Sequence, residues 1–588
     1  MKNIINNITV VLICILIFIT NIIIGTPSIE NTGIITISVS IIFLIYLIIY
    51  KVILKNKYTD IIKKINMLDI CVIILCLSPW IPIILNTAVN LEDSTNYAIR
   101  YLTVFIIYVL LKILIIQDKK YIKYIINLTI GIGLLSSFFG IQNLLNEEIS
   151  KLLYKIGVPL MMNEGRRMIG NIGYANTFAL SVFIPLVFST EKHIRKGNYF
   201  ITSINLLFVS CILLSDSKAM YMILGLWVIV YSVLLRNKKD IIKFLAHIQI
   251  VGMLAIVYAK IFTYFYERKM NIEVWISLAV FMGIAVALNK IINIYLERKN
   301  IKLTKYIIVA CLIIVIFFAI GLNAGVPLCV FENQNQEKYV EYLIPIEPNQ
   351  KYVFDFETIS KSLEEDIYLI QIIEEKRNLL RIENHIIEFG TFSGNKNITI
   401  NTNEKTNHIR LRFISKYPHK QQGLKINSFK INGEEYILNY LYLPNKIVNL
   451  LSNFSGKSLS VTDRMTYYKD AFKLIEMNPW TGIGGKGWVH EYEKVKSETY
   501  FSREVHSFPI QIWLEFGIIA ILSYAFINLF VLKYSFANIK NLKMVYMSLG
   551  AIVLHSVIDF DLSFFNMFLY MFIFLSIISS EKIIIKKK

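Results

Sequence analysis

Long apolar runs separated by short polar segments dominate this chain of 588 residues. A helix needs about 20 mostly apolar residues to cross a bilayer, and windows of this length recur, so the pattern predicts about fourteen transmembrane helices. Hydrophobic residues make up 55% of the chain and the mean hydropathy is +0.54, which excludes an ordinary soluble protein. The predicted spans lie near residues 4–24, 33–54, 69–87, 97–117, 122–142, 174–190, 199–215, 218–235, 241–262, 273–294, 304–323, 509–532, 543–560 and 563–580.

A different pattern fills residues 336–443, where short runs rich in Ile, Val, Tyr and Phe alternate with turn signals such as PNQ, TNEKTN and NGEE. Short strands at such regular spacing predict a β-sandwich. Its role stays open between glycan binding, a spacer and an assembly module. The predicted strands are YVEYLIPI, KYVFDFE, IYLIQII, LLRIENHIIEF, NITIN, HIRLRFIS, LKINSFKI and EYILNYLYL.

Charged residues between the spans predict the topology. Lys and Arg concentrate in cytoplasmic loops, and segments such as QDKKYIK, EKHIRKG and RNKKDIIK all fall on one side if the N-terminus is cytoplasmic. An even number of spans then places both termini inside, and the segments 143–173 and 324–508 outside. The net charge of +19 is explained by this topology, and we expect no nucleic-acid partner because no basic patch with interleaved aromatics stands in a soluble domain.

The outer segment 446–508 combines a predicted helix with a glycine-rich turn. Apolar residues recur at helical spacing up to NPW, where Pro479 cannot continue a helix. The turn TGIGGKGW follows, and Gly482, Gly484 and Gly485 would let the backbone approach a ligand. By itself such a turn is a weak signal.

Cations and one histidine on the predicted outer face are the candidates for chemistry. Arginine suits phosphate oxygens because its donors form a fork, and histidine moves protons near neutral pH. Arg464 opens the helix, while Arg166 and Arg167 place positive charge on the face where the topology rule disfavours it. His506 stands just before the span that begins near residue 509.

Four stretches of the chain resemble the O-antigen ligase and polymerase family of polytopic membrane glycosyltransferases, and Gram-positive members look closest. In SDSKAMYM, Lys218 replaces the usual arginine and so lacks the planar fork; in the long outer stretch, His506 is followed by Ser507 where asparagine is common. The β-sandwich is no part of the family's common core. The stretches are GRRMIGNIGYANTFAL (165–180), SDSKAMYM (215–222), DRMTYYKDAFKLIEMNPWTGIGGKGW with EVHSFPIQIWLEFGIIA (463–520), and HSVIDFDLSFF (555–565).

The resemblance implies a GT-C-like membrane fold and transfer of a glycan from a polyprenyl-diphosphate-linked donor to an acceptor hydroxyl at the outer face. The implied partners are the lipid-linked glycan, membrane lipid, and an acceptor glycan or glycolipid. We expect no cofactor, and a metal-independent reaction is preferred because no Asp-x-Asp metal motif stands on the predicted outer face. Cations would stabilise the departing diphosphate, and a base would take the acceptor proton. The implied diphosphate-binding residues are Arg166, Arg167, Lys218 and Arg464, and the implied catalytic residues are His506 and Arg464.

Each candidate also has a structural interpretation. The arginines and Lys218 can pair with neighbouring acids, and Arg100, at the outer end of the fourth span, is a candidate without motif support. Asp559 and Asp561 spell a D-x-D only by letters, and His555 with Asp559 is interpreted as a helix–helix hydrogen bond.

Four domains and several rival functions follow from the sequence. The predicted domains are a membrane domain at 1–323, the β-sandwich at 324–445, a helical catalytic loop at 446–508 and C-terminal spans at 509–588. Polymerase, ligase and protein O-oligosaccharyltransferase activities share the donor and stay open. A transporter of polysaccharides or lipid-linked glycans is the rival from another class, although such transporters should show internal repeats and charges midway through their spans. A receptor-like protein is a third interpretation.

Overall fold

The computed structural model of the chain contains two compact units, residues 1–307 with 467–588 and residues 308–466. The predicted catalytic loop therefore divides between the units near residue 466. The residues that the structure describes are 2–23, 32–52, 62–145, 167–235, 237–267, 270–299, 329–331, 339–360, 368–378, 381–392, 396–404, 406, 408–415, 424–437, 459–497 and 501–586.

The first unit is helical. Its helices, with α12 beginning in the second unit, are α1 (Lys2–Ile23), α2 (Thr32–Val52), α3 (Met67–Leu77), α4 (Trp80–Ile84), α5 (Leu91–Gln117), α6 (Lys120–Leu145), α7 (Ala175–Lys196), α8 (Phe200–Ser215), α9 (Lys218–Leu234), α10 (Lys238–Glu267), α11 (Asn271–Lys299), α12 (Leu459–Met477), α13 (Gly487–Val495), α14 (Phe508–Ile558) and α15 (Phe565–Lys586). A short 3₁₀ turn, Asp561–Ser563, joins α14 to α15.

Helices occupy the predicted apolar windows, except 304–323, which lies outside the described residues. Six described helices are long and apolar enough to cross a membrane, and the chain is a multi-pass membrane protein on this ground. The total of about fourteen spans stays a prediction. The six segments are Asn3–Ile22, Leu91–Gln117, Lys120–Leu145, Lys238–Tyr266, Asn271–Tyr295 and Phe508–Phe536.

Local sequence explains several helix ends. Asn66 and Asp69 form a capping box at the start of α3, and the Asn90 side chain accepts a hydrogen bond from the Asp93 amide at the start of α5. Gly197 ends α7 with a φ of 65°, a left-handed conformation that glycine adopts without penalty. Helix α14 is interrupted at Gly517, where φ is 76°, and at Leu542.

The second unit contains two antiparallel sheets. One has the order β1-β8-β3-β6, with β9 beside β8, and the other has the order β2-β7-β4-β5. Face-to-face packing of the two sheets as a β-sandwich stays a prediction. The strands are β1 (Cys329–Phe331), β2 (Tyr339–Pro345), β3 (Lys351–Ser360), β4 (Tyr368–Asn378), β5 (Arg381–Phe392), β6 (Lys396–Asn401), β7 (His408–Ser415), β8 (Leu424–Ile431) and β9 (Glu434–Ile437).

The alternating sequence accounts for these strands. In β6, Ile398 and Ile400 are buried while Asn397 and Thr399 are exposed, which is the period of two that one covered face requires. Between β8 and β9, Asn432 and Gly433 both have positive φ, 51° and 85°. An Asn-Gly pair in this conformation makes the tight hairpin turn that connects antiparallel strands.

Candidate functional site

A buried carboxylate, Asp559, is the centre of a polar cluster at one end of the helices of the first unit. It follows the last residue of α14, and its side chain is fully buried. The Tyr174 hydroxyl donates to its Oδ1 at 3.1 Å and Asn176 Nδ2 donates to Oδ2 at 2.6 Å. The backbone N–H of Phe560 donates to Oδ1 at 3.0 Å. These donors satisfy the buried charge and fix the direction of the carboxylate.

His506 lies against this carboxylate, with Nδ1 3.2 Å from Asp559 Oδ1. A carboxylate accepts but does not donate, so Nδ1 carries the proton and Nε2 is the basic nitrogen. The ring packs edge-on to Phe560, with centroids 4.7 Å apart, and lies 5.7 Å from Tyr467 of α12. The side chain is 21% exposed, and within the described residues no hydrogen bond to Nε2 is found.

The backbone of His506 is also held. Its φ of 61° is in the left-handed region, which non-glycine residues rarely occupy. The Tyr468 hydroxyl donates to the His506 carbonyl oxygen at 2.8 Å. The loop therefore presents the imidazole to Asp559 in one orientation.

A second histidine–aspartate pair uses the same turn, in which Asp561 follows Asp559 by two residues. His555 Nδ1 hydrogen-bonds to Asp561 Oδ2, and both side chains are fully buried. Thr177 Oγ1 donates to Asp561 Oδ1 at 2.8 Å. This pair joins α14, the 3₁₀ turn and α7 inside the protein.

Arg167 and Lys218 meet at the turn between α8 and α9. Arg167 Nε donates to the Ser215 carbonyl at 2.9 Å, and its Nη2 donates to the Asp216 carbonyl at 3.2 Å. The same Nη2 donates to Asn176 Oδ1 at 2.7 Å, which connects Arg167 through Asn176 to Asp559. Lys218 is the first residue of α9 and is exposed. Arg166 lies outside the described residues.

The glycine-rich turn packs between the segment around Thr87 and Tyr97 on one side and Glu515 of α14 on the other. Gly484 N–H donates to the Glu515 carbonyl at 2.8 Å, and Thr87 Oγ1 donates to the Gly482 carbonyl at 3.0 Å. A Cβ at Gly482 would lie 2.4 Å from the Glu515 carbonyl oxygen, and one at Gly485 would lie 2.8 Å from the Tyr97 side chain. Glycine is required here by this close packing; ligand contact by the turn stays a prediction.

Two further charged residues hold the turn that carries Asp559 and Asp561. Ser563 Oγ donates to Glu504 Oε2 at 3.1 Å, and Arg100 Nη2 donates to the Leu562 carbonyl at 3.0 Å. Burial of the carboxyl group raises the pKa of Glu504 to about 7, against the smaller opposing effect of the Ser563 hydrogen bond. Arg100 is buried among aromatic rings.

Arg464 belongs to the second unit, where it lies on α12 with a half-buried side chain. Its diphosphate-binding role stays a prediction. The sequence interpretation favoured a helix–helix hydrogen bond between Asp559 and His555, and it did not predict the contacts of Asp559 with His506, Tyr174 and Asn176. The signal was available, because both GYANTF and IDFDL lie in stretches that carry the family resemblance.

Comparison with family models matches residues 420–525 to the family described as O-antigen ligase. This range holds Arg464, the glycine-rich turn and His506, but not the turn at Asp559. Comparison with curated proteins and with solved structures gave no match. The family match confirms the resemblance to the O-antigen ligase and polymerase family that the sequence predicts, over residues 420–525 of a multi-pass membrane protein.

Proposed function

We propose that this protein transfers a glycan from a polyprenyl-diphosphate-linked donor to an acceptor hydroxyl, as a polymerase or ligase of cell-surface polysaccharide. The family assignment supports a glycosyltransferase-like enzyme of polysaccharide assembly. The observation that carries the specific proposal is the contact between His506 and the buried carboxylate of Asp559.

His506 acts as the general base in this proposal. Asp559 accepts the Nδ1 proton and stabilises the imidazolium that forms when Nε2 takes the acceptor proton. The partly exposed ring lets a hydroxyl approach, whereas the fully buried His555 offers no such access. Asp559 is a positioning residue, because it acts through His506.

The transfer step balances without a co-reactant. The acceptor oxygen forms a bond to the anomeric carbon of the donor sugar, its proton passes to His506 Nε2, and the bond from that carbon to the diphosphate oxygen breaks. The diphosphate leaves with the electron pair. Fixed cations stabilise this developing charge, and the candidates are Arg166, Arg167, Lys218 and Arg464.

We propose that these cations, without a metal ion, supply the positive charge. The two carboxylates of the D-x-D turn hydrogen-bond to protein donors, Asp559 to Tyr174 and Asn176, and Asp561 to Thr177. Arg167 both contributes charge and holds Asn176 against Asp559.

The site is proposed to face the outside of the cell membrane, with both termini in the cytoplasm. Helices α5 and α7 both begin at the site. Lys119, just after α5, and Arg195, in the last turn of α7, lie at the opposite ends. Positive charge at that opposite end favours a cytoplasmic location for it. A glycan transporter is less well supported, because the described candidates of the first unit, Arg167, Lys218 and His506, lie at helix ends and not midway along the spans.

The function is tested by glycan transfer from a purified lipid-linked donor with variants of His506. His506→Ala should lower transfer by about 10²–10⁴-fold, the usual contribution of a general base. His506→Gln should not restore it, since an amide hydrogen-bonds but takes no proton. Donor binding should persist in both variants. Full activity of the glutamine variant would assign His506 a positioning role and move the base to another group.

The membrane face is tested with single cysteines and an impermeant thiol reagent on intact cells. A cysteine within 395–405 should react and one within 236–240 should not. The reverse labelling would contradict an outward-facing second unit, whatever the transfer assay shows.

A further inference from the structure

An exposed apolar stripe follows the outer surface of the span that begins α14. Ile519, Leu522, Phe526 and Leu529 are 43%, 49%, 50% and 58% exposed. They recur every three or four residues and so share one face of the helix. Because this segment is long and apolar enough to cross a membrane, lipid is the expected cover of that face.

The loop that precedes the glycine-rich turn packs against the start of this span. Ile518 N–H donates to the Pro479 carbonyl at 3.1 Å, and a Cβ at Gly517 would lie 2.1 Å from the Trp480 carbonyl oxygen. The helix break at Gly517 thus admits the backbone of residues 479–481 directly beside the top of the stripe. Only glycine fits there, because φ is 76° and no side chain has room.

Three large apolar side chains are exposed at this junction. Trp480 is 72% exposed, Met477 is 66% and Phe472 is 41%. Trp513 of α14 ties them to the span, since its Nε1 donates to the Pro479 carbonyl at 3.1 Å and its ring meets Phe472 edge-on at 6.0 Å. The exposed apolar side chains of the loop and of α12 thus belong to segments that contact the start of the span that carries the stripe.

We propose that Phe472, Met477 and Trp480 lie in the headgroup layer of the bilayer leaflet on the His506 side. Tryptophan is suited to this layer because its ring is apolar and its N–H is polar. Lys469 and Glu476 are exposed on the same helix, which fits the interfacial layer better than the hydrocarbon interior.

This surface anchor would fix the depth of the proposed active site. Tyr467, whose ring contacts His506, precedes Phe472 by five residues on α12, about 7.5 Å along a helix axis. The imidazole is thereby held close to the layer that contains the phosphates of a lipid-linked substrate. This last step rests on the proposed function, whereas the membrane contact itself does not.

The contact is tested by tryptophan fluorescence of the full-length protein in phosphatidylcholine vesicles that carry bromine either near the glycerol or at the chain end. The chain has six tryptophans, so each variant is compared with the wild type. Trp480→Phe should remove a large part of the quenching by the shallow bromines and leave the chain-end quenching nearly unchanged.

Trp488→Phe is the matched control, because Trp488 lies in the same outer region but is fully buried, with Nε1 donating to the Ser502 carbonyl at 3.2 Å. It should leave lipid quenching unchanged. Equal lipid quenching in the wild type and in Trp480→Phe would overturn the proposal. So would quenching of Trp480 by aqueous iodide alone, or its shielding from both reagents, which would indicate a protein partner or a second copy. The measurement needs no substrate, so loss of glycan transfer cannot produce or hide the result.

Discussion

Two histidine–aspartate pairs use the same short turn, and they differ in access. His506 meets Asp559 from a loop, with 21% of its side chain exposed, and His555 meets Asp561 from within α14 with none exposed. In the sequence, each pair is one histidine and one aspartate. Their surroundings give them different chemistry, because proton transfer to a substrate requires that the base be reachable.

The partners of the two carboxylates show the same contrast. Asp559 accepts hydrogen bonds from Tyr174 and Asn176 at the start of α7 and from His506 in the loop before α14. Asp561 accepts hydrogen bonds from Thr177 of α7 and His555 of α14, and so joins these two buried helix segments. The first pair therefore has the accessible imidazole that the proposed mechanism needs, and the second joins the helices that carry it.

The largest expected difference between the pairs is in the matched variants Asp559→Asn and Asp561→Asn. Asp559→Asn should lower glycan transfer by about 10²–10⁴-fold, because the amide no longer fixes the tautomer of His506 or stabilises its charged form. Asp561→Asn should instead lower the free energy of unfolding, by up to about 3–5 kcal/mol for one partner of a buried pair. Transfer per folded molecule and thermal unfolding in detergent measure the two effects.

Similar behaviour of the two variants would contradict the different roles of the two pairs. Full transfer by Asp559→Asn would remove the carboxylate from the proposed mechanism. Loss of transfer by well-folded Asp561→Asn would place the buried pair in the reaction and contradict a purely structural role.

Variants of Arg464 test whether the reaction proposed for His506 and Asp559 has a diphosphate leaving group that a cation stabilises. Arg464→Ala should lower transfer by about 10²-fold, because one cation facing the diphosphate is lost. Arg464→Lys should retain part of the activity, since the charge stays while the planar fork is lost. Arg503→Ala is the control, an exposed cation of the same predicted outer segment, 446–508. Equal transfer by Arg464→Ala and Arg503→Ala would exclude Arg464, and absence of the alanine protein from the membrane would favour a salt-bridge role.

The sequence predicted those parts of the fold whose pattern is local. Strands over 397–401, 408–415 and 424–431 agree with β6, β7 and β8, because alternation is visible within each segment. The apolar run 509–532 predicted a span, and the candidate span Phe508–Phe536 covers it, but the sequence did not predict the interruption at Gly517. The break depends on Trp480, whose backbone occupies the space beside the helix, and no local pattern reports such a contact.

The site shows the same limit. His506 could be selected because it is a lone histidine in a motif at the start of a span. The contacts of Asp559 with Tyr174 and Asn176 were not predicted, since they join residues 385 and 383 positions apart. The sequence around a helix end does not show which distant segments of the chain contact it in the fold.

The smallest expected effect concerns Glu504, which supports the turn shared by both pairs through Ser563. Burial raises the pKa of its carboxyl group from 4.5 to about 7, so the folded protein binds this proton more tightly than the unfolded chain. Stability from this group is present below about pH 4.5 and is lost as pH rises to about 7, with a slope of at most about 1.4 kcal/mol per pH unit.

Glu504→Gln should flatten this part of the stability profile, because the amide is neutral at every pH, while it keeps an acceptor for Ser563 and costs little transfer. Thermal unfolding in detergent at several pH values between these limits measures the slope. Glu493→Gln is the control, since the hydrogen bond from Lys496 holds the pKa of exposed Glu493 below its usual value, which gives the opposite sign. An unchanged slope in Glu504→Gln would assign the pH dependence to another group, and a large loss of transfer would contradict a purely supporting role of Glu504.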